Sequence, residues 1–169
     1  MKQLFEIDLK DYSPDSKVFS RPSARAVIMR GGKIALVYSQ KEKYFKFPGG
    51  GINGAENHKA ALIREVREEV GLVVKPDSIK EFGSVLRRQK NNRLPDTIFE
   101  QENFYYFCEV EEKIVNQNLD LYEADAGFVL KFVDIDEAIQ VNAEYKSDDF
   151  FNEIMIKREL KVLQLLKNC

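Results

Sequence analysis

The sequence predicts an α+β fold in which helices pack on a mixed β-sheet. Residues 24–39 have the pattern of a β-hairpin, residues 57–70 that of an amphipathic helix, and the final segment that of a second amphipathic helix. The length of 169 residues is close to the usual size of one domain. We therefore expect residues 1–169 to form a single domain with a buried hydrophobic core.

The chain begins with residues 1–23, for which we predict a strand followed by a connector. Residues 11–23 contain two prolines and four serines, a composition that is typical of a connection. The hairpin follows. Its strands, residues 24–29 and 33–39, show apolar alternation, and the glycines within residues 30–32 predict a turn between them.

The helix predicted over residues 57–70 has recognisable ends. Gly71 is placed where a helix ends, and Pro76 stops any continuation. At the helical period its apolar residues cluster on a stripe beside an acidic face. The apolar residues of this stripe are Leu62, Ile63, Val66 and Val70.

Three further strands and two helices are predicted downstream. The strands cover residues 80–89, 97–110 and 127–135. A short helix follows them, with Asp136 as its cap. Residues 145–169 are predicted to form a C-terminal amphipathic helix, because apolar residues recur between charges, with acidic residues first and lysines toward the end.

The acidic face of the first helix predicts a divalent-metal site. Glu65, Glu68 and Glu69 are spaced at i, i+3 and i+4, so their carboxylates share one helix face. Like charges at this spacing destabilise a helix unless a counterion is present. Mg²⁺ prefers carboxylate oxygens together with substrate phosphates, so we predict Mg²⁺ as the cofactor, with Mn²⁺ as an alternative.

Residues 50–72 also fit a longer spaced pattern. Gly50 is followed six positions later by Glu56 and eight positions after that by Arg64. The run from Arg64 then reads Arg-Glu-apolar-any-Glu-Glu-any-Gly-apolar, so all nine specified positions are filled. This pattern is the Nudix box, and the sequence therefore resembles the Nudix hydrolase family.

The resemblance implies a fold and an activity. The fold is an α/β/α sandwich with a mixed sheet, and weaker similarity extends the likeness over roughly residues 24–140. The activity is metal-dependent hydrolysis of a phosphoanhydride bond in a nucleoside diphosphate linked to another group. Such an enzyme is expected to take a small nucleotide-type molecule as its substrate.

The resemblance also implies roles for residues of the box. Glu56 and Arg64 are expected to tie the loop to the helix and to orient the metal-binding carboxylates. Glu65 and Glu69 are expected to be the principal ligands, with Glu68 as a ligand or bound through water. The complete set of implied metal ligands is the carbonyl of Gly50 with Glu65, Glu68 and Glu69.

The general base is expected either in the box or on a distant loop. Glu65 and Glu68 are candidates within the box. Glu123 is our first choice outside it, because its predicted loop precedes a strand that should lie along the same cleft. Three other acids, Asp125, Glu100 and Glu102, are alternatives that we expect to be surface residues.

Substrate-binding residues are less specified by the sequence. A basic cluster after the box could hold terminal phosphates or form a solvated rim. Phe45 could stack on a base, although aromatic residues on strands more often belong to the core. The cluster consists of Arg87, Arg88, Lys90 and Arg93.

The composition of the chain limits the kinds of partner that we expect it to bind. The net charge of −2 and the pI of about 5.6 provide no basic field, so nucleic acid is not expected as a partner. No stretch approaches the roughly 18 apolar residues of a membrane span, and the N-terminus lacks the pattern of a signal peptide. We expect a cytoplasmic protein without a membrane partner; a homodimer is compatible with the sequence.

Two alternative functions remain open at this point. The basic segment of residues 87–93 motivates an RNA 5′-end pyrophosphohydrolase, although the acidic overall charge disfavours long nucleic acids. A non-catalytic nucleotide sensor or interaction module on the same scaffold is the second alternative, because a fold does not fix a function. The complete acidic set disfavours that alternative.

Overall fold

The structure, a computed structural model, describes residues 1–168. Its strands are β1 (Gln3–Asp8), β2 (Lys17–Ser20), β3 (Ser23–Val27), β4 (Met29–Arg30), β5 (Lys33–Ser39), β6 (Phe45–Lys46), β7 (Gly49–Gly51), β8 (Leu72–Val74), β9 (Lys80–Lys90), β10 (Thr97–Phe107), β11 (Val110–Ile114) and β12 (Phe128–Val133). Its α-helices are α1 (His58–Val70), α2 (Leu121–Asp125), α3 (Ile135–Glu144) and α4 (Phe150–Lys167).

The largest sheet is mixed, as the sequence predicts. Its strand order is β1-β9-β10-β3-β7, and β2 also pairs with β10. Strands β9 and β10 are antiparallel, whereas β1 runs parallel to β9 and β3 runs parallel to β10. A second sheet has the order β12-β5-β4 with β6 on β5, and β8 pairs with β11.

Helices cover both faces of the sheets. Ala24 and Ala26 of β3 pack in one buried cluster with Leu62 of α1. Val27 of the same strand belongs to a second cluster, which contains Val162 of α4. Because successive residues of a strand point to opposite faces, α1 and α4 lie on opposite sides of β3. The predicted α+β fold with a C-terminal helix is thus confirmed.

Helix α1 has the predicted ends. The side chain of Asn57 caps its start by accepting the N–H of Ala60 at 2.8 Å. Gly71 ends it in the left-handed conformation with φ of 70°, and its N–H bonds to the carbonyl of Arg67. Glycine is favoured there because other residues adopt a positive φ only with strain.

Two predicted boundaries at the ends of the chain are wrong. The predicted connector, residues 11–23, contains β2, which exists because it pairs in parallel with the distant strand β10. The final helix begins at Phe150 rather than at residue 145, because Asp149 caps it by accepting the N–H of Phe151 at 2.9 Å. The last residue of the predicted helix, Cys169, lies outside the described residues.

The short helix near Asp136 also begins earlier than predicted. Helix α3 starts at Ile135, with Asp134 at the N-cap position, so Asp136 lies within the first turn. Carboxylates in the first turn are favourable because the exposed N–H groups at a helix start attract negative charge. Within residues 1–168, none of the helices has the length and apolar character that a bilayer span requires.

Candidate functional site

The glycine loop and α1 meet at Gly50. Its strand β7 pairs with β3, where Gly50 lies opposite Ala24. A Cβ atom on Gly50 would overlap the carboxylate of Glu65, so a larger residue here would displace that carboxylate from the loop. The strand thereby places Glu65 directly against the loop from which a carbonyl ligand was predicted.

Arg64 ties the loop to the helix. Its Nε and Nη2 donate to the two carboxylate oxygens of Glu56 at 3.0 and 2.8 Å, and Nη2 also donates to the carbonyl of Gly51 at 3.1 Å. The hydrogen bonds from Arg64 hold the pKa of Glu56 below its usual value. These contacts join the loop to the helix, and a forked arginine pair fixes orientation as well as distance; the role of the pair in orienting a metal site stays a prediction.

The same guanidinium reaches two carboxylates of the acidic face. Its Nη1 donates to Glu65 at 2.6 Å and to Glu68 at 3.3 Å. The side chain of Glu65 is 15% exposed and that of Glu68 is 39% exposed. Two predicted metal ligands therefore converge on one positively charged nitrogen beside the glycine loop.

Glu69 has a different environment. Its side chain is only 1% exposed and forms an ion pair with Lys46 of β6. Its second oxygen accepts the N–H of Gly49 at 2.9 Å. The Lys46 ammonium also lies 4.6 Å from the centre of the Phe128 ring. Both Glu69 oxygens are thus occupied by donors that belong to the protein.

The acidic face has the donor chemistry of a magnesium site, but its carboxylates are not assembled around a common point. Within residues 1–168, no three acidic, histidine or cysteine side chains are grouped closely enough to hold an ion. Arg64 binds both Glu65 and Glu68, whereas Glu69 is turned away from them toward Lys46. Carboxylate oxygens suit a hard divalent cation, which would have to replace these two cations as the partner of the face.

Glu123 lies near the acidic face, on a helix rather than on the predicted loop. It is the third residue of α2, where it exchanges hydrogen bonds with Asp120 at 2.8 and 3.0 Å. Burial raises the pKa of Glu123 above its usual value. The Asp120 N–H and Lys46 oppose that rise, and the charge of Glu69 adds to it.

Two of the three alternative acids, Asp125 and Glu100, form ion pairs, whereas Glu102 is partly buried on β10. Asp125 is exposed, and its carboxylate accepts from Lys41 at 2.6 Å. Glu100 accepts from Arg88 at 2.7 Å. These ion pairs distinguish Asp125 and Glu100 from Glu123, whose carboxylate, among residues 1–168, accepts a hydrogen bond from the Asp120 N–H and forms no ion pair.

The predicted basic cluster does not form one surface. Arg87 is 1% exposed and donates to the carbonyl of Phe151 at 2.7 Å, with its guanidinium 4.1 Å from the Phe151 ring centre. Burial and the charge of Arg158 lower the pKa of Arg87 to about 9. Arg88 is held in its ion pair with Glu100. A role for Arg87 or Arg88 in substrate binding stays a prediction.

Phe45 belongs to the core. It is 1% exposed, its ring centre lies 4.9 Å from that of Tyr38, and it packs with the cluster under α4. Its backbone N–H and carbonyl both bond to the side chain of Asn142 at 2.8 Å. These contacts favour the core alternative over base stacking, which stays a prediction.

A buried network supports the glycine loop from the side of α4. The carboxylate of Glu159 accepts the N–H of Phe47 at 2.7 Å and pairs with the adjacent Arg158. Arg25 donates to the carbonyl of Gly49 at 2.6 Å. Sequence analysis missed this network, because two neighbouring charges on a helix normally indicate an exposed surface.

Comparison of the sequence with models of known protein families identifies the family of this chain. The model of the NUDIX domain matches residues 20–154, which is most of the chain. The chain belongs to the Nudix hydrolase family. Membership assigns this Nudix protein to the hydrolases that act on phosphorus-containing anhydrides. No curated protein sequence matches it significantly.

Solved structures show the same fold at low sequence identity. A NUDIX hydrolase from Nitrosomonas europaea is similar with a TM-score of 0.54 and 20% identity, over 83% of this chain and 89% of that one. A MutT protein described from Aliivibrio salmonicida and Vibrio cholerae has a TM-score of 0.50 and 16% identity, over 85% and 98%. A MutT NUDIX hydrolase from Burkholderia pseudomallei has a TM-score of 0.50 and 14% identity, over 84% and 98%.

Proposed function

We propose that this Nudix protein hydrolyses, with a divalent metal, a phosphoanhydride bond in a small nucleoside diphosphate linked to another group. One observation carries the proposal: Glu65 and Glu68 converge on a single nitrogen of Arg64, against the glycine loop. A diphosphate is strongly anionic, so a site that cleaves it needs bound positive charge. A helix face of carboxylates that is tied to a backbone loop can hold a divalent cation, which supplies this positive charge.

The box residues divide into two roles. Glu65, Glu68 and Glu69 would hold Mg²⁺ or Mn²⁺, together with the Gly50 carbonyl. When bound, the metal neutralises phosphate charge and lowers the pKa of a bound water. Arg64 does not touch the substrate in this scheme, because it fixes the loop and the carboxylates through its hydrogen bonds to Glu56.

Glu123 is proposed as the residue that takes a proton from the attacking water. A general base works best when its pKa lies near the working pH, and burial raises the pKa of Glu123 in that direction. Its hydrogen bond with Asp120 fixes the carboxylate at the start of α2, and the charge of Glu69 contributes to the raised pKa of Glu123. Glu65 and Glu68 remain the candidates for the base within the box.

The test is a screen for release of phosphorylated products, separated by ion-exchange chromatography, from several classes of phosphoanhydride in Mg²⁺ or Mn²⁺. The substrates are nucleotide sugars, dinucleoside polyphosphates, nucleoside triphosphates and capped RNA. We expect release from a small molecule, loss of release in chelator, and loss in Glu65→Gln and Glu68→Gln. Glu112→Gln, which changes an exposed glutamate of β11, is the matched control. Release that persists in excess chelator would contradict the proposal.

Small molecules are favoured over RNA by the placement of the basic segment. Arg87 is buried under α4 and Arg88 is neutralised by Glu100, so these two arginines do not provide a free track for a phosphate backbone. The capped RNA in the screen tests this alternative directly. The cytoplasmic location and the homodimer remain predictions from the sequence.

A further inference from the structure

A groove of about 620 Å³ runs along α1 on the side of Arg64 and Glu68. This volume lies within the range of about 300–1,000 Å³ that is usual for small-molecule sites. Ile63 contributes an apolar wall, and Arg67 contributes a guanidinium. The opposite wall is formed by Asn116 and Asn118, from the segment between β11 and α2.

The wall that carries the two asparagines is fixed against α1. The N–H of Val115 donates to the carbonyl of Gly71 at 2.8 Å, and the N–H of Asn118 donates to that of Glu68 at 2.8 Å. The Gln117 side chain points inward and donates to the carbonyl of Phe128 at 3.1 Å. Asn116 and Asn118 are exposed and line the groove. Because the backbone bonds hold this segment against α1, the backbone that carries the two asparagines is in place before any ligand binds.

Three polar side chains that line the groove have no partner among the described residues. Among the described residues, the side chains of Arg67, Asn116 and Asn118 have neither a hydrogen-bond partner nor an ion-pair partner. Arg64, by contrast, is shared by three carboxylates: Glu56, Glu65 and Glu68. Arg67 is therefore the cation of this groove whose charge is not already neutralised by a neighbouring acid.

The groove joins the proposed catalytic site at two places. Glu68 lines the groove and also belongs to the acidic face. The wall segment continues through Asp120 into α2, which carries Glu123. A molecule whose diphosphate lies at Glu68 therefore borders the groove that contains Arg67.

We propose that this groove binds the part of the substrate that lies beyond the scissile diphosphate, and that Arg67 binds an additional phosphate on that part. The inference rests on the proposed function, which it narrows to nucleotides that carry a phosphate outside the diphosphate. An arginine fork pairs well with phosphate, and the asparagine amides provide both donors and acceptors for a ribose or a base. A nucleoside diphosphate that is linked to a neutral sugar lacks the additional phosphate that Arg67 would bind.

The test compares ligands that differ by one phosphate. The probes are 5′-AMP and the 2′,5′- and 3′,5′-bisphosphates of adenosine, which contain no anhydride bond and so remain intact with Mg²⁺. Calorimetry measures their dissociation constants for the wild type and for Arg67→Gln. We expect at least one bisphosphate to bind the wild type about tenfold or more tightly than 5′-AMP. Arg67→Gln should remove that preference without changing the affinity for 5′-AMP.

Two variants sharpen the comparison. Lys59→Gln removes one exposed positive charge from the same helix, outside the groove, and should keep the preference. Arg67→Lys keeps the charge but loses the planar fork, so it should keep only part of the preference for the bisphosphate. The groove assignment is overturned if none of the probes binds, if no bisphosphate is preferred, or if Lys59→Gln has the effect of Arg67→Gln.

Failure of the groove and failure of the hydrolase are distinguishable. Binding is measured with compounds that cannot be hydrolysed at an anhydride, whereas activity is measured by the separate release screen. If the preference for a bisphosphate depends on Arg67 but the protein hydrolyses none of the anhydrides, the proposed activity is overturned and the groove assignment stands. Release without this preference would overturn the groove alone.

Discussion

The ammonium of Lys46 is paired with the carboxylate of Glu69, which is the most deeply buried of the three glutamates on the acidic face of α1. The side chain of Lys46 is 10% exposed and that of Glu69 is 1% exposed. A buried carboxylate without a partner is costly, so Lys46 serves as its counterion in the absence of metal. Metal coordination by Glu69 would therefore compete with an interaction within the protein.

The first prediction concerns Lys46→Met. Without metal, the variant should lose about 3–5 kcal/mol of unfolding free energy, because Glu69 is left buried without its cation. Added Mg²⁺ should raise the melting temperature of the variant more than that of the wild type, since the ion no longer competes with Lys46. Thermal melts with and without Mg²⁺ measure both effects.

Lys41→Met is the matched control for Lys46→Met. It breaks the ion pair between Lys41 and Asp125, whose side chains are 55% and 72% exposed, and should leave the stability almost unchanged because water solvates both charges. Its response to Mg²⁺ should equal that of the wild type. Equal Mg²⁺ responses in all three proteins would show that Lys46 does not compete with the metal.

The second prediction concerns Arg64→Ala. The substitution removes the two bonds to Glu56 and the bond to the Gly51 carbonyl, so the loop should loosen and both stability and rate should fall. The side chain is 30% exposed, so we expect a loss of roughly 1–3 kcal/mol, between an exposed pair and a buried one. Urea denaturation measures it against Arg67→Ala, which should be near neutral. Equal stabilities of the two variants would refute a structural role for Arg64.

The third prediction concerns the general base. Glu123→Gln should lower kcat by roughly 10²–10⁴-fold with little change in folding. Asp125→Asn should have a small effect, because Asp125 is exposed and paired with Lys41. The raised pKa of Glu123 places its deprotonation above the usual carboxyl range, so the wild-type rate should rise with pH through that region.

Rates of Glu123→Gln, Asp125→Asn and Glu65→Gln across pH provide the comparison. Glu123→Gln should lose the acidic limb of the wild-type profile that belongs to this carboxyl. The base belongs to α1 instead if Glu123→Gln stays within about threefold of the wild type while Glu65→Gln is inactive.

The fourth prediction concerns stability and pH at Glu159. Burial alone would raise the pKa of Glu159, but Arg158 and Arg25 hold it below the usual value. A carboxyl whose pKa is lowered by folding contributes stability above its unfolded-state pKa of about 4.3, and that stability is lost as the pH falls through the folded-state pKa. Glu159→Gln should therefore be destabilised by roughly 3–5 kcal/mol near neutral pH, with a smaller deficit in acid.

Urea unfolding of the wild type and Glu159→Gln over a series of pH values measures this difference. Glu153→Gln provides a control on the same helix, because its ion pair with Lys157 is exposed and should be worth little. A difference between wild type and Glu159→Gln that is constant with pH would contradict the assigned linkage.

The sequence by itself determined the helix that carries the acidic face. Its cap at Asn57, its end at Gly71 and the spacing of Glu65, Glu68 and Glu69 are local features, since each depends on residues within a few positions of one another. The family followed from the same short stretch. Arg64 and Glu56 pair within the same short stretch, because Glu56 lies two residues before α1 and Arg64 lies within it.

The tertiary structure alone decided which charges are buried and what neutralises them. Lys46 and Glu69 are 23 residues apart, and Arg87 meets the carbonyl of Phe151 across 64 residues, so no local pattern pairs them. Arg87 was predicted to lie in a phosphate-binding cluster or a solvated rim and Glu69 to bind a metal, yet both are 1% exposed and paired within the protein. Burial is set by the packing of α1 and α4 on opposite sides of the sheet, and a charge is stable there only where a distant strand or helix supplies its partner.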